Sequence, residues 1–380
     1  LSGVGAMLLS VRQDRDRRER ATPVALAAAD FGQATPTLQT GPSSQAAAQA
    51  TVVITHTVGA GDTLLGIALS YYVSVEDISG ANDMVDPDAL AIGQELIVPG
   101  VIPPTAVPTY AANSPLAPAE APLEKPPLVT VNGLAESAFV LAAPDVIRHA
   151  REIFARGQQM GRNPKAFSVV GDSTTEIPFF LARFDGGPYD LGEYGYLQSV
   201  IDYFSGSFAR DSVAVRVGLH SYTLFDPVWA DKAVCQSNEA ALACEIRLNN
   251  PSIVFIRLGS NDAGVPQLFD ESIREAVQYA IDNGVIPVIG TKADRHEGSN
   301  ENNDILRQIA ADFRVPLWEY DLVAGTIVDR GLDADAVHMT GFYPHDYTLP
   351  EAYQSGHAMH NLTALMVLDT LWKEVILAAR

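Results

Sequence analysis

Phe167-Ser-Val-Val-Gly-Asp-Ser173-Thr-Thr-Glu176 joins an apolar run to an abrupt turn of small residues. Ala166 to Val170 reads as a buried strand, and Gly171-Asp172-Ser173 ends it. Such a turn, at the carboxyl end of a buried strand, can lift a serine hydroxyl out of the sheet. It then faces the crevice where open α/β sheets form their sites. Gly, Asp and Ser are also ordinary turn residues, so the tripeptide alone reads first as the end of a strand. Two later stretches give it weight: Gly259-Ser260-Asn261-Asp262 and Asp335-Ala336-Val337-His338.

Around this stretch, strand and helix patterns alternate. Ala143 to Gln159 carries an apolar stripe at helical spacing, and Leu197, Val200, Ile201 and Phe204 form another. Ser212 to Val217, Ile253 to Leu258, Val285 to Ile289 and Val315 to Trp318 read as strands. Ser272 to Ile281, Asn303 to Phe313 and Ala364 to Leu377 read as helices. Strands separated by helices predict an α/β fold, a three-layer α/β/α sandwich around a parallel sheet. Thr174 to Tyr194, rich in aromatics and glycine, reads equally as a wall of the site or as a packed surface loop.

Ester hydrolysis by serine needs a nucleophile, a base, a group that orients the base, and donors for the oxyanion. Ser173 supplies the hydroxyl. His338 is the natural base, because a neutral imidazole accepts a proton near pH 7. Asp335, three residues earlier, can hold the other ring nitrogen. His345, His357 and His360 compete for the role, but none has an acid three positions before it. Gly218 and Asn261 each follow a predicted strand, which puts them on the same sheet edge as Ser173. With the Ser173 N–H they are the candidate oxyanion donors. Asp172 and Asp262 read as builders of the edge loops; the competing reading is the carboxylate pair of a glycosidase.

Gly171-Asp-Ser173, Gly218, Gly259-x-Asn-Asp262 and Asp335-x-x-His338 together resemble the SGNH (GDSL-type) hydrolases over about 165 to 372. That resemblance implies Ser173 as nucleophile and Asp335 with His338 completing the triad. It makes Ser173, Gly218 and Asn261 the oxyanion hole. Asn303, with Ile305 and Ala310, resembles the helix that follows the family's fourth strand. Thr174 stands where the family usually has Leu, Ser260 where Thr is common, and the Gly218 block carries no other anchor. Neither a metal-ligand cluster nor a phosphate loop is found in the sequence, so no cofactor is expected.

Residues 55–99 read as a βααβ unit of their own. Thr55 to Val58 and Glu95 to Val98 are strands. Asp62 caps a helix carrying Leu64, Ile67, Ala68 and Tyr71, and Ser74 with Asp77 starts a second, which Asn82 can end. Thr57-Val-x-x-Gly-Asp-Thr-Leu64 and Ile92-Gly-Gln-Glu-Leu96-x-Val-Pro99 closely resemble a LysM module. The resemblance implies binding of N-acetylglucosamine glycans such as peptidoglycan or chitin. It places the contacts at Gly61, Asp62, Thr63 and Leu64, and from Asp88 to Ile92. Residues 100–129 are rich in proline and read as a semi-rigid spacer before a hydrolase domain at 130–380.

Residues 21–50 have few large apolar side chains and read as a disordered spacer, within an N-terminal segment 1–54. Leu1 to Val11 is apolar but too short to span a bilayer; it reads as the tail of a truncated anchor or signal segment. A formal net charge of -21 argues against nucleic acid or an anionic membrane as partner. Cys235 and Cys244 are compatible with a local disulfide or with two buried thiols. The expected protein is an extracellular or cell-surface serine esterase tethered to cell-wall glycan, its expected ester substrate an O-acyl group on polysaccharide. The alternative is a glycan-binding surface protein whose hydrolase-like domain is inactive.

Overall fold

The computed structural model describes residues 54–59, 64, 67, 75–82, 84, 90–98, 125–126, 128–342 and 344–379. They belong to two compact units. The expected spacers lie almost wholly outside the described residues, as do Gly61, Asp62, Thr63, Asp88 and the Ser74 cap. No helix among the described residues is long and apolar enough to cross a membrane.

In the N-terminal unit, β1 (Ile54–Thr57) pairs antiparallel with β2 (Glu95–Val98), placing Thr57 opposite Glu95. Between them runs α1 (Val75–Ala81). Val58, Leu64, Ile67, Ile78, Leu96 and Val98 form the core, with Met84 and Leu90 packed against it. So small a core needs polar clamps. Asn82 supplies one: its amide donates to Ile78 O and to Ile97 O, both at 2.7 Å, and accepts from Ile97 N at 2.7 Å. The residue expected only to end a helix also stitches that helix to β2.

The larger unit opens with a hairpin, β3 (Thr130–Val131) and β4 (Leu134–Ala135), and then β5 (Val140–Leu141). Next come α2 (Pro144–Gln159) and β6 (Asn163–Gly171), then α3 (Gln198–Tyr203) and α4 (Ala241–Asn249). The pattern continues with β7 (Pro251–Arg257), α5 (Pro266–Asp282), β8 (Ile286–Gly290), α6 (Glu301–Phe313), β9 (Leu317–Trp318) and α7 (Gly356–Leu371). The sheet has five strands in the order β5-β9-β8-β7-β6. Every residue of β7 and β8 is buried, as a sheet covered on both faces requires. This is the expected three-layer α/β/α sandwich. It departs from a wholly parallel sheet only at its edge, where β5 runs antiparallel to β9.

Two expectations need correction, and one left open is answered. Ser212 to Val217 is not a strand; it touches the sheet through one parallel bridge, Val215 to Gly171. Its polar groups are satisfied elsewhere: Ser212 Oγ donates to Val169 O at 2.7 Å, and Val213 N donates to the buried Glu245 at 3.1 Å. The last long helix begins at Gly356 rather than Ala364, behind a Ser355 cap, and yields at Trp372 to a π turn. The aromatic insertion is packed: Phe180, Leu181, Phe184, Leu191 and Tyr194 are all buried. Asn361 pins it, accepting from Leu181 N and donating to Phe179 O at 2.9 Å each.

Candidate active site

β6 delivers Ser173 to the carboxyl edge of the sheet. Gly171 is required there by close approach, since a Cβ would lie 2.0 Å from Thr175 Oγ1 and 3.0 Å from Arg257 O. Asp172, fully buried, accepts from Thr174 N at 3.0 Å and from Thr174 Oγ1 at 2.7 Å, capping a one-turn helix at Ser173–Thr175. The Thr found where the family usually has Leu is thereby part of the turn. Burial pushes the Asp172 carboxyl up, opposed by the Arg257 guanidinium and the Thr174 hydrogen bonds.

Ser173 Oγ lies 2.9 Å from His338 Nε2, and His338 Nδ1 lies 2.5 Å from Asp335 Oδ2. Asp335 also builds the turn that holds the imidazole, its Oδ1 accepting from Val337 N and His338 N at 2.9 Å each. The hydrogen bond from His338, with those two N–H groups, brings the Asp335 carboxyl down to about 2. It is therefore charged wherever a neutral His338 could act as base, and it fixes the tautomer that leaves Nε2 free to accept. The three residues expected to form a triad thus meet in one hydrogen-bonded line.

The competing histidines do not reach the serine. His345, His357 and His360 are buried, and burial lowers all three, His345 to about 3 and His357 to about 4. His360 sits among Phe180, Trp318 and Tyr320, with ring centroids 4.5–4.8 Å away. His357 stacks on Phe179 at 5.1 Å.

The loops that carry Asn261 and Gly218 are bonded to each other. Asn261 Nδ2 donates to Leu219 O at 3.3 Å, which uses one of its two N–H bonds. Gly218 is exposed with φ +72, a left-handed position that suits glycine. Among the described residues, no backbone acceptor takes the N–H of Ser173 or Gly218. Asp262 accepts from Ser221 N at 3.0 Å and Ser221 Oγ at 2.8 Å, binding the Asn261 loop to the Gly218 loop. Asp172 and Asp262 are both fully buried, so the carboxylates weighed as a glycosidase pair are engaged in building loops. Ser260 donates to Asp294 at 2.6 Å, and Asn302 donates to Gly259 O at 2.9 Å, fixing the same edge from behind. Asn303 clamps the end of β8 through both Lys292 N and Lys292 O, at 2.8 and 2.9 Å.

Residues 56–99 match the family model described as LysM domain. This stretch is a LysM domain. Of its expected contact residues, Leu64 is buried in the core and Ile92 is exposed. Leu64 therefore serves packing rather than a surface contact. No curated protein sequence matches the chain. Similar solved structures include a protein assigned to the G-D-S-L lipolytic family from Desulfitobacterium hafniense DCB-2, at 15% identity and TM-score 0.34, covering 53% of this chain and 99% of that one. An acetylxylan esterase from Geobacillus stearothermophilus follows at 15% identity and TM-score 0.35, covering 53% and 93%. A two-domain esterase active on acetylated mannans matches at 15% identity and TM-score 0.37, covering 62% of this chain and 56% of that one. Likeness of this degree establishes no activity for this chain.

Sequence reasoning missed Arg257, a fully buried guanidinium at the end of β7. Its signal was present: one charged residue inside the otherwise apolar run Ile253 to Leu258. The disulfide question is answered by a bond between Cys235 and Cys244.

Proposed function

We propose that this protein is a serine carboxylic-ester hydrolase held on N-acetylglucosamine glycan by its LysM domain, with an O-acylated polysaccharide as its substrate class. The observation that carries the reading is the line from Ser173 Oγ to His338 Nε2 to Asp335 Oδ2, at 2.9 and 2.5 Å. Ser173 Oγ attacks the ester carbonyl while His338 Nε2 takes its proton, and the C–O bond to the alcohol breaks as His338 returns that proton to the leaving oxygen. Water, activated by the same imidazole, then releases the acid from the acyl-serine. The oxyanion is met by the N–H groups of Ser173 and Gly218 and by the second N–H of Asn261.

The LysM domain supplies the polysaccharide part of this reading, because a glycan-bound enzyme works on what it is concentrated against. The Cys235–Cys244 disulfide favours an oxidising compartment and so a place at the cell surface or beyond it.

Hydrolysis of 4-nitrophenyl acetate by the full chain tests the chemistry, beside Ser173→Ala and His338→Ala. Each substitution is expected to lower kcat by about 10⁴-fold or more. Equal turnover by all three proteins would sink the serine mechanism, and an inactive wild type would favour the glycan-binding alternative. Co-sedimentation with insoluble peptidoglycan and with chitin tests the tether.

A further inference from the structure

The segment after the Gly171–Val215 bridge leads from the nucleophile turn to the Asn261 loop. Gly171 N donates to Ala214 O at 3.1 Å, and Arg216 N returns a bond to Gly171 O at 3.2 Å, so the segment starts beside the nucleophile turn. It passes Gly218, is held to Asn261 through Leu219 O, and is held to Asp262 through Ser221. The next residue, Tyr222, turns outward. Its ring is stacked on His220 with centroids 5.0 Å apart and planes 26° apart, and it is 42% exposed. Val217, five residues earlier in the same segment, is 59% exposed, and α5, whose preceding residue Val265 is also solvent-facing, packs against the Ser221–Thr223 turn. The aromatic pair is thus fixed to the loop that carries Asn261, because Ser221 between the two rings donates to the buried Asp262.

We propose that the His220–Tyr222 stack is a platform for a pyranose ring of the ester substrate, the sugar next to the acylated position. The inference rests on the esterase reading above and names what lies beside the reacting ester. One face of a pyranose presents C–H groups, and these lie flat on an aromatic ring while the hydroxyls stay in water. An exposed, pre-stacked ring suits that ligand because it is already ordered and half-desolvated by its partner. The surroundings suit a polymer as well: His338 and Asp335 are each half exposed, so the catalytic line opens to the surface where a chain can pass. The same chain's LysM domain makes a glycan the expected occupant.

The test sets an aryl ester against two glycan esters on the full chain. Wild type, Tyr222→Ala and Tyr222→Phe are assayed on 4-nitrophenyl acetate, which has no sugar, and on chemically O-acetylated chitotetraose and O-acetylated xylan. For Tyr222→Ala the ratio of kcat/KM on the glycan ester to kcat/KM on the aryl ester is expected to fall about three- to tenfold. The change should come through KM, and Tyr222→Phe should keep the wild-type ratio, because the ring and not the hydroxyl makes the contact. An unchanged ratio in Tyr222→Ala overturns the platform. So does an equal loss on the aryl and glycan esters, which would make Tyr222 a support for the Asn261 loop, and so does failure of wild type to act on either glycan ester. A wild type inactive on the aryl ester removes the esterase reading itself, and the platform with it.

Discussion

The turn that carries Ser173 is built from buried groups, whereas the turn that carries His338 is built on the surface. Asp172 beneath the serine is fully buried between Thr174 and the Arg257 charge, at the end of a strand paired with β7 from Phe167 to Gly171. Asp335 and His338 are half exposed and depend on hydrogen bonds made within four residues of chain. Each half contains one aspartate whose side chain shapes a turn, Asp172 by accepting one backbone N–H and Asp335 by accepting two. In the first half that aspartate is tied to the stability of the fold; in the second it is tied to the chemistry. The two should therefore separate under mutation.

The largest separation is expected at Asp335. Asp335→Asn keeps an oxygen for the Val337 and His338 N–H groups but offers no carboxylate to Nδ1. It should lower kcat on an aryl ester by about 10³–10⁴-fold. In a half-exposed turn that Asn can still cap, it should cost about 1 kcal/mol or less of stability. A large fall in melting temperature would show that the outer turn is tied to the core after all.

Asp172→Ala should behave in the opposite sense. It removes a turn cap and leaves Arg257 facing one carboxylate fewer in a dry environment. The expected cost is about 3 kcal/mol in denaturant unfolding. A cost under about 1 kcal/mol would mean that Asp294 and Asp321, which also act on Arg257, already neutralise it.

Two imidazoles sharpen the same contrast. His338 is exposed at the site, while buried His357 is held down to about 4 by burial first, then by His338 and Arg257. The folded state thus keeps His357 neutral where the unfolded chain, titrating near 6.5, takes up a proton. Its stabilising contribution is full above about pH 6.5 and is lost as pH falls through about 4. Asp172 and Asp262, whose carboxyls burial pushes up, slope the other way, so the informative quantity is a difference between proteins. Wild type should lose about 2 kcal/mol more than His357→Phe between pH 7 and 4, measured by urea unfolding. Parallel curves would contradict it.

What the sequence disclosed follows the same division. The buried strands were legible because a parallel sheet covered on both faces demands unbroken apolar runs, as in Ile253 to Ile256 and Val285 to Ile289. The line from Ser173 to His338 was legible because its outer half is local, an acid three residues before a histidine. The misread strand at Ser212 to Val217 has the right composition, but Glu245, 32 residues beyond Val213 in sequence, claims its N–H. Nothing in a short window announces such a partner. Asn361, 180 residues beyond Leu181, packs the aromatic insertion by the same kind of remote bond. The His220–Tyr222 platform was passed over for a related reason, since its meaning comes from the remote Asp262 that fixes it.

The smallest effect is expected inside the outer turn. Ala336 holds φ +57, a left-handed conformation that costs an L residue about 1 kcal/mol and glycine almost nothing. The turn tolerates this because Asp335 Oδ1 gathers the N–H groups of Val337 and His338 around it. Ala336→Gly relieves the strain but also loosens the unfolded chain, and the two oppose each other. A net stabilisation of about 0.5 kcal/mol or less is expected, within reach of a careful denaturant titration. The same substitution beside Ser173 has no counterpart, because Gly171 is already glycine by close contact with Thr175 and Arg257. If Ala336→Gly instead destabilises by more than about 1 kcal/mol, the strain is balanced by contacts beyond the turn, and the outer half is less self-contained than its hydrogen bonds imply.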